Sequence, residues 1–220
     1  DLSADFRIKD VKVYEEWYKL EHKSPQFIEE AVYGLCEINR EDVKKARLVA
    51  NPGCYPTCSF LSIYPCVKEG LIDPNTIIID AKSGTSGAGM VPSARTHHPN
   101  CSTCVIPYSI GTHRHTPEIE MAVDMFAGSS MDLTFVPHLV PIVRGILSDC
   151  YFTLKKDASQ EDVDAVYEKQ YGKERFVHYT KDPLSREVAG SNHAEVSARV
   201  LGKHVAAFGA IDNLVKGASG

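Results

Sequence analysis

The segment Asn51-Pro52-Gly53-Cys54-Tyr55-Pro56-Thr57 decides how the middle of this chain folds. Residues 47–50 predict the end of a strand, and residues 57–69 predict a helix that ends at Gly70. Cys54 is therefore predicted in a tight strand-to-helix turn, beside the free amides and partial positive charge of a helix N-terminus. That position favours the thiolate, the reactive form of cysteine. Position alone leaves two interpretations open, a nucleophile and a buried structural thiol.

The composition is that of an ordinary globular protein. The 220 residues are 43% hydrophobic and 24% charged, enough for one large core or two small ones. A net charge of −5 gives no reason to expect a nucleic-acid partner. No apolar run approaches the ~18 residues of a membrane span, and the charged residues 1–20 do not resemble a signal peptide. We expect no membrane partner and a cytoplasmic location.

The cysteines indicate a reducing environment rather than a disulfide framework. There are seven, an odd number, at irregular spacing. Cys101-Ser102-Thr103-Cys104 is a single CxxC, and His97 and His98 lie nearby. A structural zinc site needs four ligands, and the chain has no second CxxC, so we predict no metal site.

A loop rich in glycine and hydroxyl groups follows a predicted strand. Residues 76–82 are rich in β-branched side chains and predict an interior strand. Residues 83–90, Ser-Gly-Thr-Ser-Gly-Ala-Gly-Met, follow it. Three glycines let the backbone approach a ligand closely. The segment matches neither a Walker loop nor the GxGxxG pattern, so a flexible loop is the alternative.

A second dense motif is Gly-Thr-His-Arg-His-Thr-Pro-Glu at residues 111–118. Thr116 and Pro117 predict the N-cap and first residue of a helix that runs to Ala127. Two histidines and an arginine thus stand just before a helix start. Three neighbouring bases are hard to explain by packing, because they repel one another and prefer water.

The remaining pattern predicts an α/β fold. Ser159 and Asp162 predict a capping box, and strands are predicted over 133–142, 143–155, 176–180, 192–200 and 204–210. Long strands with helices between them favour a mixed sheet covered by helices.

Four motifs, in this order, give the chain a family resemblance. They are NPGCYPT at 51–57, SGTSGAG at 83–89, HRHTPEIE at 113–120 and AIDNLVKGA at 210–218. Together they resemble the N-acetyl-gamma-glutamyl-phosphate reductases of the semialdehyde dehydrogenase superfamily. The resemblance implies a largely antiparallel sheet like that of the C-terminal domain of glyceraldehyde-3-phosphate dehydrogenase. One departure is Cys36, where the family usually has proline.

The resemblance also implies a reaction and a domain division. The reaction is NADPH-dependent reduction of N-acetyl-gamma-glutamyl phosphate to N-acetyl-glutamate 5-semialdehyde, with release of phosphate, through a cysteine thioester in arginine biosynthesis. Residues 1–10 are expected to end a truncated NADP-binding Rossmann domain, 11–208 to form a catalytic and dimerisation domain, and 209–220 to begin a helix returning to the Rossmann domain. We then expect little activity and weak NADPH binding from this chain alone, and a homodimer or homotetramer by analogy.

The implied roles fall on specific residues. Cys54 matches the nucleophile, which suits the chemistry because a thiolate is both a strong nucleophile and a good leaving group. His115 or His113 matches the acid–base partner, and His115 is favoured because it lies at the N-terminus of the predicted helix. Glu118 either orients an imidazole or is a helix-start charge. The resemblance assigns the acyl phosphate to Arg7 and the nicotinamide cofactor to Ser83, Gly84, Ser86, Gly87 and Asn213. Arg114 is a second candidate to bind phosphate or carboxylate, for which its planar fork is suited, and the alternative is that it faces solvent. Asn51 is the third residue predicted to bind the substrate.

Three other functions compete with this interpretation. An aspartate-semialdehyde dehydrogenase would have a different sequence in place of the histidine motif. A cysteine hydrolase with a Cys54–His115 dyad would leave the glycine-rich loop and Asp212-Asn213 unexplained. The third alternative is an inactive domain.

Overall fold

A computed structural model gives the fold and describes residues 1–73, 75–128, 130 and 132–220. The α-helices of the described residues, in chain order, are α1 (Val11–Tyr18), α2 (Cys36–Val43), α3 (Cys54–Lys68), α4 (His98–Cys101), α5 (Thr116–Ala127), α6 (Gln160–Tyr171) and α7 (Ser185–Val188). The strands are β1 (Val32–Tyr33), β2 (Val49–Ala50), β3 (Ile77–Ser83), β4 (Ile106–Pro107), β5 (Leu133–Leu139), β6 (Ile146–Thr153), β7 (Val177–Tyr179), β8 (Ala194–Leu201) and β9 (His204–Ile211).

Seven of the strands form one mixed sheet in the order β4-β5-β3-β6-β9-β8-β7. Four neighbouring pairs are antiparallel, and the pairs β3/β5 and β7/β8 are parallel. Strands β1 and β2 form a small parallel pair that leads into the Cys54 turn. The predicted mixed, largely antiparallel α/β architecture is therefore confirmed.

Helix α3 is the centre of the core. Every residue from Tyr55 to Val67 is buried, and the helix packs on β6 and β9 and against α5 and α6. The strand register aligns Ile79, Phe135 and Cys150 on the face beneath it. Gly209 lets the helix come close to the sheet, because a Cβ there would collide with the Ser62 hydroxyl.

Pro65 lies inside α3, at a position where proline tends to kink or end a helix, yet the helix continues to Lys68. Proline has no N–H, so the carbonyl of Leu61, four residues earlier, loses its helical donor. The hydroxyl of Tyr171 in α6 donates to that carbonyl at 2.7 Å. A tertiary hydrogen bond thus replaces the missing backbone one.

The other face of the sheet remains half exposed. Ile78 is 49% exposed and Tyr151 40%, although both lie on interior strands. On the same two strands, Lys82 Nζ lies 2.6 Å from Asp149 Oδ2 and 3.0 Å from Asp80 Oδ2. Exposed apolar side chains around a paired charge cluster are typical of an interaction surface.

Several predicted boundaries shift for local reasons. The strands predicted over 133–142 and 143–155 are shorter, because a turn containing Gly145 (φ +110°) separates them. The capping box of Ser159 and Asp162 is confirmed at the start of α6.

We expect Tyr171→Phe to destabilise the fold by about 1–3 kcal/mol, because it leaves the buried Leu61 carbonyl without a donor. Urea unfolding followed by circular dichroism measures the change. Pro65→Ala restores an N–H at that position, so it should recover part of the loss in the Tyr171→Phe background. Tyr64→Phe is the matched control, since no described protein group bonds to the Tyr64 hydroxyl. Equal losses from Tyr171→Phe and Tyr64→Phe would contradict the assignment.

Candidate active site

Cys54 is the first residue of α3, directly after the N-cap residue Gly53. Pro56 occupies the third helical position, where an N–H would have no helical partner, so proline is tolerated there. The backbone N–H groups of Cys54 and Tyr55 donate toward the thiol sulfur. The predicted strand-to-helix turn is therefore present, with the thiol at a helix N-terminus.

The thiol of Cys54 is nevertheless protonated at neutral pH in this structure. Burial raises its pKa to about 11, and the nearby Glu118 carboxylate adds to the rise. The two backbone amides and Arg7 act in the opposite direction but do not outweigh burial. The thiolate expected from the helix position is thus not the resting form, because desolvation exceeds the stabilisation by the helix end.

His115 lies against the residue that precedes Cys54. A Cβ placed on Gly53 would be 2.6 Å from His115 Nε2 and 2.9 Å from Cε1. Burial first, then the charges of His113, Arg7 and Arg114, hold the pKa of His115 well below its usual value. His115 is therefore a neutral imidazole near pH 7, which can accept a proton. Its Nδ1 is buried and has no hydrogen-bond partner among the described groups.

His113 lies beside His115 through a turn rather than along an extended segment. The ring centroids are 4.9 Å apart, and His113 Nδ1 accepts the backbone N–H of His115 at 3.1 Å. Burial, aided by Arg114, lowers the pKa of His113 to about 4. The N-cap residue of α5 is His115, and Thr116 is the first helical residue, one position earlier than predicted.

Glu118 holds the cysteine turn in place. Its fully buried carboxylate accepts the Gly53 N–H at 2.8 Å, the Tyr33 hydroxyl at 3.1 Å and Arg7 Nη1 at 3.3 Å. Burial raises its pKa, and these three partners lower it. Among the described groups the carboxylate has no hydrogen bond to an imidazole. Glu118 does lie in the first turn of α5, as the alternative of a helix-start charge predicted, but there it is buried.

Arg7 and Asn51 serve the scaffold more than the cavity. Besides Glu118, Arg7 donates to the carbonyls of Asn51 at 2.6 Å and Leu2 at 3.1 Å. Arg7 is therefore the countercharge of a buried carboxylate, although it also reaches the cavity wall. The Asn51 amide donates to the Ala218 carbonyl. Asn51 is not among the residues that line the cavity, and its contact with substrate stays a prediction.

The C-terminal segment also reaches the cysteine. A Cβ on Gly217 would lie 2.8 Å from the Cβ of Cys54. Lys216 forms a buried ion pair with Glu37 of α2. Neither contact was signalled by sequence spacing, because the partners are more than 150 residues apart.

The residues predicted to hold a cofactor lie together. Asn213 Oδ1 accepts the Gly145 N–H at 3.0 Å, and its Nδ2 donates to Ser86 Oγ at 2.9 Å. A Cβ on Gly87 would lie 3.0 Å from both Asn213 Nδ2 and Ser83 Oγ. Gly84 packs on the Val143 carbonyl with no room for a side chain. Bare backbone beside an amide is a surface that a flat ring can approach.

A cavity of about 590 Å³ joins the histidine motif to this loop. None of the described residues that line it is Asp or Glu. Its polar walls include His113, His115, Tyr108 and three arginines, Arg7, Arg95 and Arg114. The lining therefore favours an anionic ligand. Sequence reasoning missed Tyr108 and Arg95, because neither belongs to a recognisable motif.

The described part of the chain shows no cluster of three or more His, Cys, Asp or Glu side chains suited to a metal ion. Within the same ranges, no helix combines the length and apolar composition that a bilayer crossing requires.

The family model for the semialdehyde dehydrogenase dimerisation domain matches residues 54–213. The chain belongs to the semialdehyde dehydrogenase family. Among its relatives, the N-acetyl-gamma-glutamyl-phosphate reductases of Lachnospira eligens and Lachnoclostridium phytofermentans are 55% and 52% identical over the whole chain. The chain spans 65% of the length of each.

Solved semialdehyde dehydrogenases share the fold. Aspartate semialdehyde dehydrogenase II from Vibrio cholerae superposes with a TM-score of 0.68, covering 94% of this chain and 73% of that one. The sequence identity is 15%, so the likeness concerns the fold alone.

We expect alkylation of Cys54 by iodoacetamide to rise about tenfold per pH unit between pH 7 and 9, because the thiolate fraction grows in this way well below a pKa of about 11. Peptide mapping by mass spectrometry separates Cys54 from the other cysteines, and Cys54→Ser gives the background. A rate that is already constant at pH 7 would mean that the resting residue is a thiolate.

Proposed function

We propose that this chain is the catalytic part of an acyl-phosphate reductase that converts N-acetyl-gamma-glutamyl phosphate into N-acetyl-glutamate 5-semialdehyde and phosphate. The observation that carries the proposal is a neutral imidazole, His115, packed beside the Cys54 turn at the end of a cavity lined by arginines. About half of the residues along this whole chain are identical in reductases of that name, which supports the choice of substrate.

The first half-reaction uses only residues of this chain. Neutral His115 removes the proton of the Cys54 thiol, and the sulfur attacks the carbonyl carbon of the acyl phosphate. The bond from that carbon to the phosphate oxygen breaks, phosphate leaves, and a thioester on Cys54 remains. The backbone amides of Cys54 and Tyr55 stabilise the sulfur while it is anionic. The burial that raises the thiol pKa also excludes water from the thioester.

The second half-reaction requires a hydride, which bound NADPH would supply to the thioester carbon. The exposed backbone at Gly87 and the remaining N–H of the Asn213 amide fit the carboxamide side of a nicotinamide ring. Protonated His115 gives its proton to the carbonyl oxygen, forming a thiohemiacetal on Cys54. When the C–S bond breaks, the sulfur leaves as a thiolate, the oxygen returns that proton to His115, and the aldehyde is released. His115 then gives the proton back to the thiolate, which restores the neutral thiol and imidazole.

His113 has a supporting role in this scheme. Its Nδ1 accepts the His115 backbone N–H, so its neutral ring carries the proton on Nε2 and can donate a hydrogen bond. A donor fixed beside the base suits an oxyanion or a phosphate oxygen.

The wider setting belongs to the same proposal. It includes NADP as the cofactor, a cytoplasmic step of arginine biosynthesis, and the division into residues 1–10, 11–208 and 209–220. The free state of all seven cysteines agrees with a reducing compartment.

We expect the first half-reaction to be measurable without cofactor, as release of one phosphate per chain from freshly prepared N-acetyl-gamma-glutamyl phosphate. His115→Asn should slow this burst by about 10² to 10⁴, the usual contribution of a general base. His113→Asn should slow it by less than about tenfold, since that ring is not the proton acceptor.

Cys54→Ser gives the background of this assay, because an oxygen nucleophile at that position forms no thioester. Equal losses from the two histidine variants would overturn the choice of His115. A burst that survives in Cys54→Ser would overturn the proposed function.

We also propose that the half-exposed sheet face pairs with a second copy of the chain. The matched family model is that of a dimerisation domain, and the face carries exposed Ile78 and Tyr151 around the Lys82 charge cluster. Covering this face would bury apolar area and leave the cluster to fix the orientation of the two sheets.

Light scattering after size-exclusion chromatography should give about twice the chain mass of 24.3 kDa. Tyr151→Lys should reduce the measured mass to that of one chain, because it would bury a new charge in the interface. Leu20→Lys is the control, as Leu20 is 60% exposed but lies outside the sheet. A dimer that persists in Tyr151→Lys would place the interface elsewhere.

A further inference from the structure

Two arginines of the cavity wall stack on tyrosine rings. The guanidinium carbon of Arg114 lies 5.3 Å from the ring centroid of Tyr18. That of Arg95 lies 5.1 Å from the ring centroid of Tyr108. All four residues line the same cavity. A guanidinium held over an aromatic ring keeps a fixed plane, while the N–H groups along its edges stay available.

These two arginines differ from Arg7 in what they bind. Arg7 directs each of its three nitrogens at a protein oxygen. Among the described residues, neither Arg95 nor Arg114 forms a hydrogen bond or an ion pair with another side chain or with the backbone. The cavity thus offers two preoriented forks with free donors, and a fork of this kind matches a carboxylate or a phosphate with two parallel hydrogen bonds.

The two forks are carried by different segments of the cavity wall. Arg114 lies between the two histidines in sequence, and its charge lowers the pKa of both. It therefore stands near the reacting groups. The positive charge of Arg95 acts to lower the pKa of Tyr108. The Tyr108 hydroxyl donates a hydrogen bond to the Tyr55 hydroxyl at 2.9 Å. The short turn that carries Arg95 is fixed by a capping box between Ser93 and Thr96.

The proposed substrate also has two anionic parts. One is the phosphate on the reacting acyl group, and the other is the carboxylate on the α-carbon at the opposite end. We propose that Arg95 is a specificity-determining residue that binds this α-carboxylate, while Arg114 binds the anionic group at the reacting end. The assignment rests on the proposed function. It explains why the cavity has two separate guanidinium forks.

A pair of simple ligands separates the two roles. N-acetyl-L-glutamate carries both the γ-carboxylate of the reacting end and the α-carboxylate. 4-Acetamidobutanoate is the same molecule without the α-carboxylate. Protection of Cys54 from iodoacetamide, mapped by mass spectrometry, reports how far each ligand occupies the cavity. The assay contains 0.15 M salt, which screens weak interactions between the ligands and exposed charges.

In the unmodified chain we expect N-acetyl-L-glutamate to protect Cys54 at a concentration at least about tenfold lower than 4-acetamidobutanoate, as is typical for a charge-assisted hydrogen-bonded pair. Arg95→Met should bring this ratio close to one by weakening only N-acetyl-L-glutamate. Arg95→Lys should give an intermediate ratio, because it keeps the charge but loses the fork. Arg114→Met should weaken both ligands and preserve the ratio.

The possible failures are distinguishable. An unchanged ratio in Arg95→Met would overturn the role of Arg95 and leave the proposed function intact. Equal weakening of both ligands by Arg95→Met would also overturn it, because Arg95 would then act on the cavity as a whole. If neither ligand protects Cys54 in the unmodified chain, the proposed function fails and the assignment of Arg95 fails with it.

Discussion

The buried carboxylate of Glu118 is the interaction on which the site depends. It joins α5 to the backbone of the cysteine turn, to β1 through Tyr33 and to the N-terminal segment through Arg7. A charge without solvent is tolerated only when it is paired and hydrogen-bonded, and removing one partner leaves an uncompensated buried charge. The same requirement that holds Glu118 in place therefore holds Gly53, and with it Cys54.

Burial also sets the resting state of the site. The thiol of Cys54 and the imidazole of His115 are both neutral near pH 7, since desolvation acts against each charged form. A neutral pair can transfer a proton when an electrophile arrives, whereas a permanent thiolate would be open to oxidation. The arginines complete this arrangement, because their positive charge favours an anionic ligand in a cavity without carboxylates on its described walls.

The sequence predicted the sheet, the main helices and the grouping of the motifs well, because apolar periodicity and turn residues act locally. It placed Cys54, the histidines and the loop at Asn213 in one region through the family resemblance. It did not predict the protonation states, which depend on burial, or the partners of Glu118 and Asn51, which lie far away in the chain. Arg95 was missed because its position over the Tyr108 ring, thirteen residues later, belongs to no motif.

The exchange of hydrogen bonds around Pro65 has an evolutionary consequence. Since the Tyr171 hydroxyl satisfies the carbonyl that proline leaves open, the two positions form one unit on two different helices. A lineage that lost the hydroxyl first would carry an unsatisfied buried group until the proline was also replaced. We therefore expect positions 65 and 171 to vary together among homologous chains. The tyrosine should have been gained before the proline.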